Sequence, residues 1–194
     1  PVAWDALVAI VHSSNPVDDV TFRQLRDIYL GKITNWQALG GPNKPLEFYI
    51  RRGKISGVGR AARRLLFDDL SLEFKARKYF DSSAPLEKAV EDSPWSLAVT
   101  GASSARKRDV KILTLEGKTA GYDSIRSGDY SLFLPLFLVV NAQNQKQPLI
   151  EQFVQFAYSP EGMAIMRRNG VVPYNDALHL VMKEREQAER ARSR

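Results

Sequence analysis

A layered α/β fold is predicted for this chain of 194 residues. Strand-like apolar runs alternate with helical periodicities along its length. The first run, Ala6-Leu-Val-Ala-Ile-Val11, is apolar at every position, as in a strand covered on both faces. A hydrophobic content of 44% is enough to build the core that such layers need.

Each element follows from local chemistry. The first strand ends in turn residues at Ser13-Ser14-Asn15-Pro16. Thr21-Phe22-Arg23-Gln24 is a capping-box start, Phe22, Leu25, Ile28 and Tyr29 fall on one helical face, and Gly31 is placed to stop the helix. Asn35-Trp36 and the loop Gly40-Gly41-Pro42 lead to a strand at Leu46–Ile50 and a helix from Ser56 to Phe67. Helical patterns are read from Leu70 to Phe80 and from Pro85 to Glu91. Strand patterns are read at Trp95–Thr100, Val110–Leu115 and Leu132–Val140. Beyond the polar stretch after Asn141, Pro148 opens a helix carrying Ile150, Phe153 and Ala157 on one side. A further helix starts with Ser159 as N-cap and Pro160 behind it, and closes at Asn169-Gly170. The sign-alternating tail from Lys183 to Arg194 reads as a solvated helix end.

Composition narrows the function classes. Without cysteine there is no disulfide, thiolate nucleophile or thiolate metal site, and two distant histidines, His12 and His179, do not make a metal site or a catalytic triad. No metal or cofactor is implied. The longest apolar run, Leu132–Val140, contains Pro135 and is too short for a membrane span. A net charge of +6 favours anionic partners. The cations concentrate at Arg51 to Arg64, at Arg106-Lys107-Arg108 and in the tail. Aromatic residues are not interleaved with them as a stacking platform for nucleic acid requires.

The segment Leu46–Phe67 is the most informative. A buried strand delivers Arg51 and Arg52 to a small-residue turn, after which Ser56 and Gly57 open a helix. Free amides at a helix start attract an anion, a guanidinium gives a two-pronged hydrogen bond to tetrahedral oxygens, and Gly57 presents no Cβ to an approaching ligand.

Several blocks together resemble the periplasmic phosphate-binding proteins, the substrate-binding components of phosphate ABC transporters. They are Asn15-Pro16-Val17, Leu25 to Trp36, Arg52-x-x-x-Ser56-Gly57, Ser127-Gly128-Asp129-Tyr130, Leu136 to Asn141, and Phe156 to Gly162 running on through Asn169-Gly170 to Pro173. The resemblance covers nearly the whole chain. It implies a type 2 periplasmic-binding-protein-like fold, two αβα lobes joined by hinge strands near Ala6–Val11 and Leu136–Asn141. Residues 14–134 would form a complete second lobe, and residues 1–13 and 135–194 the hinge strands, a partial first lobe and the C-terminal helices. It also implies a non-enzymatic, periplasmic or extracytoplasmic protein that holds inorganic phosphate or a similar oxyanion and feeds an ABC transporter permease. Carried over residue by residue, the ligand-binding positions are Arg52, Ser56, Gly57 and Val58.

Three departures from the family pattern bear on these expectations. Val58 stands where the family has threonine, so only its backbone N–H can serve. Tyr130-Ser-Leu-Phe-Leu134-Pro135-Leu136 lacks an arginine near the hinge. The family's opening segment, which completes the anion cup from the first lobe, has no counterpart ahead of Asp5-Ala6-Leu7. A partner chain or a missing segment is therefore expected to complete that lobe, against an unpaired edge or apolar face around Ile150, Phe153 and Phe156. The alternative reading is a binding-protein fold used for protein interaction or sensing, without tight phosphate binding.

Overall fold

In the computed structural model, residues 1–193 are described except 55, 142, 144 and 145. In chain order the elements begin with β1 (Ala3–His12), β2 (Asp19–Val20), α1 (Phe22–Tyr29), a 3-10 turn at Trp36–Leu39 and β3 (Glu47–Arg51). Next come α2 (Gly57–Ala62), which runs on as a π-helical turn at Arg63–Phe67, then β4 (Lys78–Phe80), α3 (Ser83–Glu91), β5 (Ser96–Gly101) and α4 (Ala102–Ala105). They are followed by β6 (Val110–Ile112), β7 (Thr114–Leu115), α5 (Tyr122–Ser127), β8 (Phe133–Leu136), α6 (Gln147–Tyr158), α7 (Pro160–Arg168) and β9 (Val172–Pro173). A 3-10 turn at Tyr174–Ala177 and α8 (Leu180–Arg192) close the chain.

β1 organises the molecule. Its second half, Leu7 to His12, lies between β5 and β6, antiparallel to both, and β5 leads through parallel pairings to β3 and then β4. Its first half, Ala3 to Ala6, pairs instead with β8 and β9. One strand thus belongs to two sheets. Every residue from Ala3 to Val11 is buried, which explains why the run carries no polar alternation. Asp5, buried at the changeover, accepts hydrogen bonds from the Ser103 hydroxyl at 2.6 Å and the Ser103 amide at 3.2 Å.

Local signals hold where the chemistry is local. Thr21 and Gln24 close the capping box at both bonds, and Phe22, Leu25, Ile28 and Tyr29 are buried. Ser159 caps α7 through the Gly162 amide, and Gly170 takes a positive φ after Asn169. Other readings need correction. No helix spans Leu70–Phe80: Lys75 N–H donates to Tyr29 O, Arg77 N–H to Phe48 O, and Arg63 Nε to Leu72 O, so tertiary partners take backbone groups that a helix would use. The Val110–Leu115 run is two strands, because Leu113 N–H donates to Ala9 O while Thr114 N–H turns to Asp18 O. The Leu132–Val140 run pairs only over Phe133–Leu136, so the strand read through Val140 ends at Leu136. The polar stretch after Asn141 lies partly outside the described residues.

α8 is a helix end solvated along most of its length, as read, but it is anchored to the body of the protein. Gln187 is buried and donates to Ser131 O and Phe133 O at 2.7 and 2.9 Å, while Arg192 pairs with Asp68 and Arg190 with Glu116. The arginines of the other basic cluster are also spent internally: Arg106 donates to Gly170 O and Ala120 O, and Arg108 to the buried Glu87. An apolar surface is left beside β8 and α6, with Phe137 62% exposed, Val139 93%, Leu149 63% and Phe153 59%.

Candidate functional site

The site is built where β3 gives way to α2. β3 is an inner strand between β4 and β5, and Tyr49 and Ile50 are buried, so its C-terminal end is held firmly. At Gly53 the chain reverses with φ +76°, a conformation that favours glycine. Ser56, extended at ψ 138°, then caps the helix: its Oγ accepts the Gly59 amide at 3.1 Å and its carbonyl accepts the Arg60 amide at 2.8 Å. A Cβ on Gly59 would lie 2.6 Å from that Oγ, so Gly59 is part of the cap.

Ahead of those bonds, the amides of Gly57 and Val58 have no protein partner among the described residues, as expected of the first helical positions. A Cβ on Gly57 would meet nothing within 4 Å, so the space before these amides is open. Helical structure continues behind them to Phe67, and its dipole favours negative charge at this end. The Val58 side chain is half-buried and packs against the core, leaving the main chain as its only polar contribution.

Arg51 and Arg52 diverge. Arg51 Nη1 donates to Ser83 Oγ and Nη2 to Asp81 O, each at 2.8 Å, which fixes it to the start of α3. Arg52 is exposed, and its Nε donates to Asp81 Oδ1 at 2.8 Å. Its two Nη groups have no protein partner among the described residues, so the edge suited to a bidentate oxyanion is open. Ser56, Gly57 and Val58 thus share one helix start, while Arg52 stands across the turn with Asp81; no hydrogen bond or ion pair links the two sides among the described residues.

Sequence reasoning missed Asp81. It lies far along the chain and comes beside Arg52 only through the parallel pairing of β3 and β4, with Arg51 opposite Phe80. Behind the turn, Lys54 pairs with Glu73 at 2.6 Å and by that hydrogen bond holds the Glu73 carboxyl below its ordinary range. The Tyr29 phenol, wholly buried, is pushed far up by desolvation and is a packing group rather than an acid. Among the described residues no group of three or more His, Asp or Glu side chains is arranged to hold a metal ion. No helix among them is long and apolar enough to cross a membrane.

The profile of the PBP superfamily domain matches residues 1–161. The chain belongs to the PBP superfamily. Among relatives, the phosphate-binding protein PstS of Borreliella burgdorferi is 24% identical over 177 residues, 87% of this chain and 63% of its own length. The phosphate-binding protein PstS of Bacillus subtilis is 22% identical over 176 residues, 90% of this chain and 57% of its own length. This superfamily member therefore spans less than two thirds of these curated relatives. A Clostridium perfringens protein assigned as a phosphate ABC transporter substrate-binding protein, crystallised with bound phosphate, superposes with a TM-score of 0.78 at 25% identity. The match covers 88% of this chain and 69% of that one. The fold is accordingly the α/β architecture of the phosphate-binding proteins, as the resemblance implies.

Proposed function

We propose that this chain is a non-enzymatic solute-binding protein, or part of one, that holds phosphate or a related tetrahedral oxyanion. Arg52 supplies the two Nη donors, Ser56 its hydroxyl hydrogen, and Gly57 and Val58 their amides. The observation that carries the reading is the pair of unpartnered amides at Gly57 and Val58, behind an intact Ser56 cap and facing open space. Each hydrogen bond to a charged oxyanion contributes about 1.5–3 kcal/mol net of the water it replaces, so the amides and the guanidinium together favour capture of the anion. Relatives that carry the name phosphate-binding protein support the choice of anion, and their transporter setting supports an ABC permease as partner and an extracytoplasmic location.

In this reading residues 14–134 are the second lobe, and residues 1–13 and 135–194 contribute hinge strands, a partial first lobe and the C-terminal helices. The division of β1 between two sheets supports it. The exposed surface at Phe137, Val139, Leu149 and Phe153 is then where a further segment or a partner chain completes the first lobe.

A second reading, an interaction or sensing module without tight phosphate binding, draws on Val58, whose side chain offers no hydroxyl, and on the same apolar surface. Titration calorimetry with inorganic phosphate separates the two. The binding reading expects saturable uptake that Arg52→Ala weakens at least about tenfold, the loss of roughly 1.4 kcal/mol or more. Absence of heat with phosphate, or an unaltered isotherm for Arg52→Ala, favours the module.

A further inference from the structure

Arg52, the cation of the phosphate reading, is open to water and shares its charge with Asp81. A second arginine stands behind the same helix start. Arg63 is only 4% exposed, and among the described residues no carboxylate lies within ion-pair distance of it. Its Nε donates to Leu72 O at 2.8 Å and its Nη1 to Gly59 O at 3.1 Å, and its guanidinium lies 4.1 Å from the centre of the Phe74 ring. The carboxylate that feels its charge, Glu73, is already held by Lys54 at 2.6 Å. One positive charge is left over.

Two observations connect that charge to the anion site. The first is its cost: burying an ion without a counter-ion is unfavourable, and an apolar side chain of similar length fills such a position more cheaply. Packing alone does not call for a guanidinium. The second is its direction, because Gly59 is held at both ends, its amide by Ser56 Oγ at 3.1 Å and its carbonyl by Arg63 Nη1. A Cβ on Gly59 would lie 2.6 Å from Ser56 Oγ and 3.2 Å from Arg63 Nη1. The hydroxyl and the guanidinium therefore come within about 6 Å of each other, a range at which a charge in a low-dielectric interior still acts strongly. Gly59 puts no side chain between them. The same charge is felt on its other side, where it lowers the Tyr29 phenol against the larger upward push of burial.

We propose that Arg63 is a positioning residue of the anion site, a buried cation that touches no ligand, backs the Ser56–Gly59 turn and takes the captured oxyanion as its counter-ion. Being buried, it is screened less by water and salt than the exposed Arg52 and Arg60. The inference rests on the phosphate reading and adds to it a residue that acts by charge.

Inorganic phosphate is titrated calorimetrically into the full chain, into Arg63→Met, which keeps the length and loses the charge, and into Arg63→Lys, which keeps the charge. Both variants are expected to be folded by circular dichroism. Arg63→Met should weaken phosphate binding about fivefold or more, and Arg63→Lys should recover most of that loss. In Arg63→Met the Gly59 amide should stay protected from hydrogen exchange, which shows that the Ser56 cap is intact and that the loss is one of charge. The proposal is overturned if Arg63→Met does not fold or loses the Gly59 protection, if its affinity falls by less than about fivefold, or if Arg63→Lys binds as weakly as Arg63→Met. Wild type that takes up no phosphate overturns the phosphate reading and this inference with it, whereas uptake unaltered in Arg63→Met overturns this inference alone.

Discussion

Arg52 and Asp81 stand opposite each other because β3 and β4 run in parallel with Arg51 facing Phe80, and Arg52 Nε donates to Asp81 Oδ1 at 2.8 Å. The contact has two opposed effects on an approaching oxyanion. It orients the guanidinium with its Nη edge outward, and it places a negative charge beside the ligand. Asp81→Asn separates them, because an amide oxygen still accepts from Nε while the charge is gone. At a separation of roughly 6 Å in a water-like dielectric, like charges repel by about 0.7 kcal/mol, a factor of about three. Asp81→Asn is therefore expected to tighten phosphate binding about threefold at low salt, with the gain shrinking as ionic strength rises. Equal affinities for the two proteins at low salt in a calorimetric titration would refute this.

Val58→Thr tests the missing hydroxyl. The two side chains have nearly the same shape but differ by a hydroxyl that apolar neighbours do not satisfy, so the half-buried position takes the change at a modest cost, and the new O–H adds a donor beside the open amides. A further hydrogen bond to a charged ligand is expected to tighten phosphate binding about five- to tenfold, with a small fall in the melting temperature of the free protein from the methyl the substitution removes. Weaker phosphate binding in the variant would show that this residue does not face the anion.

Asp176 carries a pH signature of stability. Arg167 donates to both of its oxygens at 2.7 Å and Tyr122 to one at 2.6 Å, and the Arg167 hydrogen bonds hold its carboxyl below the ordinary value of 3.8. A depressed carboxylate stabilises the folded state above its unfolded pKa, and that contribution is lost as pH falls through the folded value. Wild type is expected to be more stable than Asp176→Asn by a constant margin above about pH 5, and the margin should shrink below 3.8. Urea unfolding at several pH values measures it, and a margin that grows on acidification contradicts the assignment.

Gly162 sits where α6 and α7 meet, and a Cβ there would fall 2.1 Å from the Phe156 carbonyl oxygen. The obstacle is backbone, so no rotamer change relieves it. Gly162→Ala is expected to cost about 2–4 kcal/mol of stability, read as a lower urea midpoint. A midpoint within experimental error of wild type would show that the helix junction yields freely.

How much of this was legible in the sequence depended on how local each feature is. The Thr21 capping box, the Ser56 cap and the Ser159 start are decided within four residues, and each forms as read. The Leu70–Phe80 stretch has helical apolar spacing, but Asp68 turns left-handed at φ +50° ahead of it, and the strand it becomes is fixed by pairing with Tyr49–Arg51. Apolar spacing says nothing of such partners. The same holds in the candidate site: Ser56 and Gly57 could be read from one turn and Val58 from the family resemblance, whereas Asp81 depends on sheet register. The α8 charges alternate as on a solvated helix, yet Glu184, Arg190 and Arg192 find partners on Arg64, Glu116 and Asp68, distant in sequence.

The central claim is that an oxyanion sits in front of Gly57 and Val58 within reach of Arg52. Amide chemical shifts recorded by two-dimensional NMR during a titration with inorganic phosphate test it most directly. The amides of Gly57 and Val58 and the Arg52 Nη groups are expected to move most, saturating together, and the response should be lost in Arg52→Ala. Phosphate that binds while leaving the Gly57 and Val58 amides unmoved would contradict the account.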